Sequence, residues 1–361
     1  MFLVKMNPSE FRANYIRAIK FNQPLYIPAI VSILPSTWSK YRENLENLIL
    51  KHELIFPGFR KGIINYDDFG VYRAGNILVD EWGCVWKFST DGLQGIVVKH
   101  PLEDWKNFEH FKPPDIKLGL PREGDYPIPW DIYEHLMSRV KALGGLTVGL
   151  MPHGVLFLRL AYLRGYMNVL KDIVQESENL LKLIDMITDY NLSLIRKLTK
   201  LKVDVISFGD DLGNQDRLPF RPEKFRRILL PAYKKMFNEV KKAGINIRFH
   251  SDGHVIEIVE DFINIGANVV NIQDKVNGID KIKEKLKGKV AIELDIDRQF
   301  LLPFGSSEDI DSYIRSSILT LGLKRGGLLF SAEVSHDVPL QNISALLDSL
   351  EKNAQLHLEL D

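Results

Sequence analysis

Short apolar runs and amphipathic stretches alternate along the second half of the chain. Each run is typical of a buried strand, and the stretches that follow, such as residues 222–244 and 254–266, have the apolar period of a helix. The predicted strands cover residues 203–211, 246–253, 267–274, 289–297 and 326–334. Strands that alternate with helices of this length indicate βαβ units and a parallel sheet.

The first half of the chain supplies candidates for three more strands, at residues 24–32, 53–56 and 145–151. Eight strands in this pattern predict an α/β protein with a single (β/α)8 barrel, so that residues 1–361 form one domain. Five or six strands would instead form an open, doubly wound sheet, which is the structural alternative.

Residues 70–105 interrupt this alternation, because they contain several glycine turns and no helical period. We expect them to form a β-hairpin insertion after the second strand. Three tryptophans, Trp82, Trp86 and Trp105, would give the insertion an aromatic character.

The composition narrows the class of protein. The 47 basic and 47 acidic residues cancel without forming long blocks, which argues against a nucleic-acid-binding protein. A lone cysteine, Cys84, excludes internal disulfides and a cysteine-rich zinc site. No apolar run reaches the about 18 residues of a membrane span, and the amino end lacks the apolar stretch of a signal peptide. We therefore expect a soluble cytoplasmic protein.

Polar side chains gather where the predicted strands end. In a parallel barrel, the carboxyl ends of the strands form the mouth of the active site. The residues at these ends are carboxylates, imidazoles and amides: Asp210, Asp211, His250, Asp252, Asn271, Gln273, Asp274, Glu293, Asp295, Asp297 and Glu333, with His336 and Asp337 just beyond. Burial of unpaired charges is costly, so a barrel with a purely structural role would not need this set at one rim.

The pair formed by His250 and Asp252 is the most informative part of this rim. Residues two apart in a strand point the same way, so both side chains can reach one point. Such a rim suits a divalent metal held by nitrogen and oxygen ligands, or acid–base catalysis by carboxylates. The structural interpretation stays open, because a buried histidine is often hydrogen-bonded in a core and Asp210 with Asp211 is also typical of a loop cap. Motifs for dinucleotides, nucleoside triphosphates and serine hydrolases are lacking.

Several segments resemble the uroporphyrinogen decarboxylase superfamily, which includes decarboxylases and corrinoid- or cobalamin-linked methyltransferases. The resemblance runs through DEWGCVW, HPLEDW, LAYLRGYMNVLKDI, FGDDLGNQDRLPF, HSDGHVIEIVEDFINIGANVVNIQ, IDRQFLLPFGSSEDI and DVPLQNISALLDSL. It implies a single (β/α)8 barrel with its site at the carboxyl rim, in agreement with the strand pattern.

The resemblance favours the methyltransferase branch of this superfamily. True uroporphyrinogen decarboxylases carry an arginine-rich loop after the first strand that holds the carboxylates of the substrate, whereas here VSILPSTWSKYREN follows without an arginine cluster. The methyltransferase branch often binds zinc through a His-x-Cys pair and a later Cys. Here His250 stands at the histidine position and Asp252 replaces the cysteine. Zinc with such ligands would suit activation of an oxygen, such as that of a methyl ether.

The leading hypothesis is a methyltransferase that moves a methyl group between a small O- or N-methylated compound and a corrinoid carried by a separate protein. The metal, expected to be zinc, would be held by His250, Asp252 and either Glu293 or Glu333. The candidate catalytic residues are Asp210, Asp211 and Glu333. The candidate substrate contacts are Asn271, Gln273, Tyr162, Arg164 and His336.

Two alternatives remain at this stage. One is a metal-free decarboxylase of a tetrapyrrole or a smaller acid, in which Asp210 or Asp211 stabilises a protonated intermediate. The other is a corrinoid- or partner-binding barrel without catalysis of its own. In that case the insertion at 70–105 would be a docking surface or a homodimer contact.

Overall fold

The computed structural model describes residues 7–360. Twelve strands in this part of the chain are numbered in chain order: β1 (Ala29–Ile33), β2 (Ile77–Val79), β3 (Val85–Lys87), β4 (Ile96–Lys99), β5 (Leu120–Arg122), β6 (Asp125–Ile128), β7 (Val148–His153), β8 (Val205–Gly209), β9 (Asn246–His250), β10 (Val269–Gln273), β11 (Ala291–Asp295) and β12 (Leu328–Val334).

Seven of these strands form one parallel sheet in the order β1-β12-β11-β10-β9-β8-β7. The order follows the chain around the sheet without the reversal of a doubly wound fold. Side chains of both edge strands, including Ser32 of β1 and Val148 of β7, line the same cavity as those of the central strands, so the sheet curls around it. The α/β barrel architecture predicted from the sequence is confirmed.

The strand predicted at residues 53–56 is wrong. These residues form turns, in which the backbone N–H groups of Ile55 and Phe56 both donate to the carbonyl of His52. Within the described residues the sheet therefore has seven strands, with β1 at one edge and β7 at the other. The predicted second strand of the barrel would have paired between these two edges.

Helices cover the outer face of the sheet. Their bounds are Pro8–Ile19, Pro35–Ile49, Trp130–Ala142, Phe157–Arg164, Tyr166–Gln175, Glu178–Lys200, Pro222–Lys224, Leu230–Lys242, Val259–Ile265, Asp274–Asn277, Ile279–Leu286, Leu301–Phe304, Ser307–Leu321 and Leu340–Lys352, with a π-helical turn at Phe225–Leu229 and 3-10 turns at Trp105–His110, Ile116–Leu118 and Leu356–Glu359. Aromatic side chains fill the space between sheet and helices, as where the rings of Phe249 and Phe262 stack at 3.7 Å. The helix predicted at 254–266 begins only at Val259, because Val255 and Ile256 donate their N–H groups to Asn277 Oδ1.

The first helix, Pro8–Ile19, closes the amino end of the barrel. Its Tyr15 and Ala18 pack in one buried cluster with residues at the starts of the strands, among them Val205, Val269 and Ala291. The inner cavity therefore has a floor at this end and lies toward the carboxyl ends of the strands.

The insertion at 70–105 forms a three-stranded antiparallel sheet, β2-β3-β4, rather than a single hairpin. Trp82 and Trp86 are buried in the core and do not lie on the surface of the insertion. A second small sheet, β5-β6, follows it and returns the chain toward the barrel. Among residues 7–360 no helix combines the length and the apolar character that a membrane span requires.

Candidate active site

A cavity of about 550 Å³ lies inside the barrel and reaches from Tyr15, near the starts of the strands, to the residues at their carboxyl ends. Apolar side chains such as Ile30, Leu146 and Val148 form part of its wall. Its polar lining is Tyr15, Ser32, Gln94, His153, Ser207, Asp211, Arg248, His250, Asp252, Asn271, Glu293, Asp295, Arg298, Ser331 and Glu333. Seven of the residues predicted at the strand ends line this cavity: Asp211, His250, Asp252, Asn271, Glu293, Asp295 and Glu333.

Three neighbouring strands bring two imidazoles and a carboxylate together. His153 and His250 are the last residues of β7 and β9, and Asp211 follows the intervening strand β8. The Nε2 atoms of His153 and His250 lie 3.3 Å and 3.6 Å from the same oxygen, Asp211 Oδ1. One ligand atom from each of these three residues lies within 4.8 Å of the others, which is the spacing of a metal site.

The outer nitrogen of each imidazole is held by another side chain. His250 Nδ1 lies 2.6 Å from Asn271 Oδ1, and this oxygen also accepts a hydrogen bond from Arg248. Because an amide oxygen only accepts, Nδ1 carries the proton, and the lone pair of Nε2 faces Asp211. His153 Nδ1 lies 3.2 Å from Glu123 Oε2. Metal-binding histidines usually donate their second N–H to a carboxylate or carbonyl in this way.

The protonation of the cluster follows from its burial and its charges. Burial alone would lower the pKa of His153, but its close contacts with the Asp211 and Glu123 carboxylates outweigh this effect and raise the pKa to about 11. Burial raises the pKa of Asp211, but the interactions with His153 and His250 reverse the shift and bring this pKa to about 2. The pKa of His250 is lowered by burial, against the opposing charge of Asp252. At neutral pH the cluster therefore holds an ionised carboxylate on Asp211, a neutral imidazole on His250 and a protonated imidazole on His153, which would release a proton on binding a metal.

These residues fit a divalent cation such as zinc, which prefers imidazole nitrogen and carboxylate oxygen. Asp252 supplies a further donor, since its Oδ1 is buried without a hydrogen-bond partner and lies 3.7 Å from His250 Nε2. Its other oxygen accepts a hydrogen bond from Arg298.

Arg298 links the carboxylates on the far side of Asp252. Its Nη1 lies 3.5 Å from Glu333 Oε1 and 3.8 Å from Asp295 Oδ2. Burial raises the pKa of Asp295 to about 7, although the positive charge of Arg298 opposes the shift. Asp295 can therefore hold or release a proton near neutral pH.

Glu293 is placed differently from its predicted role as a metal ligand. Its carboxylate is fully buried and accepts two hydrogen bonds from Arg248, at 2.8 Å from Nε and 2.6 Å from Nη2. Because Arg248 occupies both oxygens, Glu293 is not free to bind a metal. The pair touches the cluster only indirectly, through the Asn271 oxygen that Arg248 and His250 share. Arg248, in the middle of β9, was not among the residues predicted from the sequence.

Asp210 does not line the cavity, although its sequence neighbour Asp211 does. Its buried carboxylate accepts hydrogen bonds from the backbone N–H groups of Leu156, Phe157 and Leu158, and from the hydroxyl of Tyr233 at 2.5 Å. Asp210 thus anchors the start of the helix Phe157–Arg164 and does not face a substrate.

The remaining predicted residues fall into two groups. Asn271 and Glu333 line the cavity. The others lie outside it: Gln273 accepts from the backbone of Gly253, Tyr162 packs against Trp86, Arg164 pairs with Asp172, and His336 is exposed. His153 was missed because the strand predicted at 145–151 ends two residues early; the strand-end rule applied to GLMPH would have found it.

The uroporphyrinogen decarboxylase (URO-D) family model matches residues 65–353 of the sequence. The chain belongs to this family. Among solved structures, a methyltransferase from Methanosarcina mazei superposes with a TM-score of 0.61 at 17% identity and covers 95% of this chain and 98% of its own. At this identity the likeness shows that the two proteins share a fold.

Two further solved structures match less well. An L-ribulose 3-epimerase gives a TM-score of 0.40 at 13% identity and covers 65% of this chain and 82% of its own. A sugar phosphate isomerase/epimerase from Parabacteroides distasonis gives 0.35 at 10% identity, with 62% of this chain and 75% of its own covered. A comparison with curated protein sequences yields no match.

Proposed function

We propose that this member of the uroporphyrinogen decarboxylase family is a methyltransferase. It moves a methyl group between a small O- or N-methylated compound and a corrinoid on a separate protein, in the cytoplasm. The observation that carries the proposal is the convergence of His153 Nε2 and His250 Nε2 on Asp211 Oδ1 inside the cavity. When bound there, zinc would supply a Lewis acid that polarises the oxygen or nitrogen bearing the methyl group.

The chain's own residues have separate tasks in this reaction. Asn271 and Glu123 orient the two imidazoles through their Nδ1 atoms. Asp295 holds a proton near neutral pH and donates it to the oxygen or nitrogen from which the methyl group departs. Val148 and Leu150 give the cavity an apolar wall against which the transferring methyl group can pack.

The charge of the cavity argues against the decarboxylase alternative. Its lining contains five carboxylates but two arginines: Asp211, Asp252, Glu293, Asp295 and Glu333, against Arg248 and Arg298. Both arginines already pair with carboxylates of the chain. A tetrapyrrole with many carboxylates would therefore lack cationic partners. Asp210, one of the two acids proposed for that reaction, does not line the cavity.

The test is a methyl-transfer assay under anaerobic conditions. Zinc-loaded protein is mixed with cob(I)alamin and a panel of O-methylated and N-methylated small compounds, and methylcobalamin formation is followed by visible absorption. We expect turnover with at least one donor and a loss of about 100-fold or more in His250→Ala. His336→Ala is the matched control, because His336 is exposed and does not line the cavity.

Two results would contradict the proposal. Release of carbon dioxide from a porphyrinogen, without methyl transfer from any donor, would restore the decarboxylase. Binding of methylcobalamin without turnover in either direction would favour a barrel that binds a corrinoid and does not catalyse.

A further inference from the structure

We infer that Glu123 is a positioning residue that orients the His153 imidazole in the metal site, and that the β5-β6 hairpin places Glu123 next to the barrel. This inference rests on the proposed function. Glu123 lies in the turn between β5 and β6, outside the parallel sheet. Its side chain is only 5% exposed, and Oε2 lies 3.2 Å from His153 Nδ1.

The burial of this carboxylate points to its task. Among the described residues, neither oxygen of Glu123 has a hydrogen-bond partner that meets ordinary geometry, and His153 is its ion-pair partner, with Tyr162 and Arg159 close enough to interact with its charge. A buried carboxylate with so few partners is unfavourable for folding. Its position is therefore explained by what it does to the imidazole, since it accepts the proton on Nδ1 and so directs Nε2 toward Asp211, where Nε2 can bind a metal once its own proton has left.

Close packing allows Glu123 to approach. A Cβ at Gly154 would lie 3.4 Å from Glu123 Oε1 and 3.2 Å from Tyr162 Cε2, and 2.9 Å from the Cβ of Leu158. The glycine next to His153 therefore leaves room for the carboxylate. Gly124, with φ at +63°, packs against Trp86 of the insertion, where a Cβ would lie 3.1 Å from the indole.

A buried arginine fixes the insertion beside the site. Arg159, in the helix that follows His153, lies 3.6 Å from Asp80 and places its guanidinium over the rings of Trp82 and Tyr162. Asp80 in turn accepts hydrogen bonds from the backbone of Trp82 and the indole of Trp86. The insertion is thus part of the support of the metal site, and Tyr162 belongs to this support instead of contacting substrate.

The experiment measures cobalt binding instead of activity. Metal-free wild type, Glu123→Ala and Glu123→Gln are titrated with Co²⁺ against a competing chelator, and the visible spectrum of bound Co²⁺ is recorded. We expect Glu123→Ala to weaken binding about 10- to 100-fold and to change the spectrum. Glu123→Gln should lose less, because its amide oxygen still accepts from Nδ1.

Asp125→Ala is the matched control. Asp125 lies on the same hairpin and is buried to a similar extent, with 7% of the whole residue exposed against 8% for Glu123. Its ion-pair partner is Arg122 instead of His153. It should bind Co²⁺ with the affinity and spectrum of the wild type. If near-ultraviolet circular dichroism shows that Glu123→Ala is unfolded, Glu123→Gln decides.

The outcomes separate this inference from the proposed function. Wild-type binding of Co²⁺ with unchanged affinity and spectrum in the folded Glu123 variants would overturn the inference alone. An equal loss in Asp125→Ala would also overturn it, because the effect would then belong to the hairpin as a whole. Absence of Co²⁺ binding by the wild type would overturn both.

Discussion

Asp210 and Asp211 are adjacent in the chain, yet their carboxylates serve different neighbours. Asp210 accepts three backbone N–H groups and the Tyr233 hydroxyl, whereas Asp211 lines the cavity between His153 and His250. Asp210 therefore has a structural role and Asp211 a functional one. Substitution of each residue should affect stability and metal binding differently.

We expect Asp210→Ala to lower the free energy of unfolding by about 2–4 kcal/mol, because it leaves buried donors unsatisfied. Asp211→Ala should remove metal binding and lower this free energy by less than Asp210→Ala does, because it loses the interactions with His153 and His250 but leaves fewer buried donors unsatisfied. Urea unfolding and a zinc titration of both variants measure the two effects. Equal destabilisation by both variants would contradict the division of roles.

Gly209 controls the position of the His153 ring. A Cβ at residue 209 would lie 2.7 Å from His153 Cδ2, closer than real Cβ contacts allow. Gly209→Ala should therefore displace the imidazole and weaken zinc binding at least 10-fold. Gly244→Ala is a control for metal binding alone, because a Cβ there meets nothing within 4 Å. Unchanged zinc affinity in Gly209→Ala would show that this ring does not bind the metal.

Arg248 and Glu293 form a buried ion pair, and the loss of one partner should cost more stability than the loss of both. Arg248→Met leaves Glu293 uncompensated and should lower the free energy of unfolding by about 3–5 kcal/mol. Arg248→Met combined with Glu293→Leu should recover part of this loss, since both charges are then gone. Denaturant unfolding of the two single variants and the double variant measures the coupling; strict additivity would contradict it.

Asp295 should make stability depend on pH. Its pKa is about 7 in the folded protein and about 3.9 in an unfolded chain, so between these values the folded state binds a proton that the unfolded chain has lost. Stability therefore falls as the pH rises through this window, by roughly 2–4 kcal/mol in total. In Asp295→Asn this part of the slope should disappear. Urea unfolding of metal-free protein from pH 4 to pH 8 tests it, and identical slopes in both proteins would refute the assignment.

Much of the fold and part of the site follow from local sequence pattern. Apolar runs that alternate with amphipathic stretches predict the parallel sheet, and polar residues at strand ends predict that His250 and Asp211 face one cavity. Residues 53–56 show the limit, because a short apolar run is equally compatible with a turn that buries Ile55.

Residues that act through distant partners could not be predicted in the same way. Glu293 has the alternation expected for the inner face of β11, but its partner Arg248 lies on β9, two strands away in the sheet, and this pairing is visible only in the folded structure. Glu123 reaches His153 through the packing of the insertion on the barrel, a tertiary relationship that no local pattern encodes.

The central claim is that His153, Asp211 and His250 bind one divalent metal ion. Zinc titration of chelator-treated wild type, His153→Ala, His250→Ala and His336→Ala tests it most directly, with the metal content confirmed by elemental analysis. We expect about one equivalent of zinc in the wild type and in His336→Ala, and a loss of about 100-fold or more in affinity in the other two variants. Wild-type protein without bound zinc, or equal affinity in all four proteins, would contradict the claim.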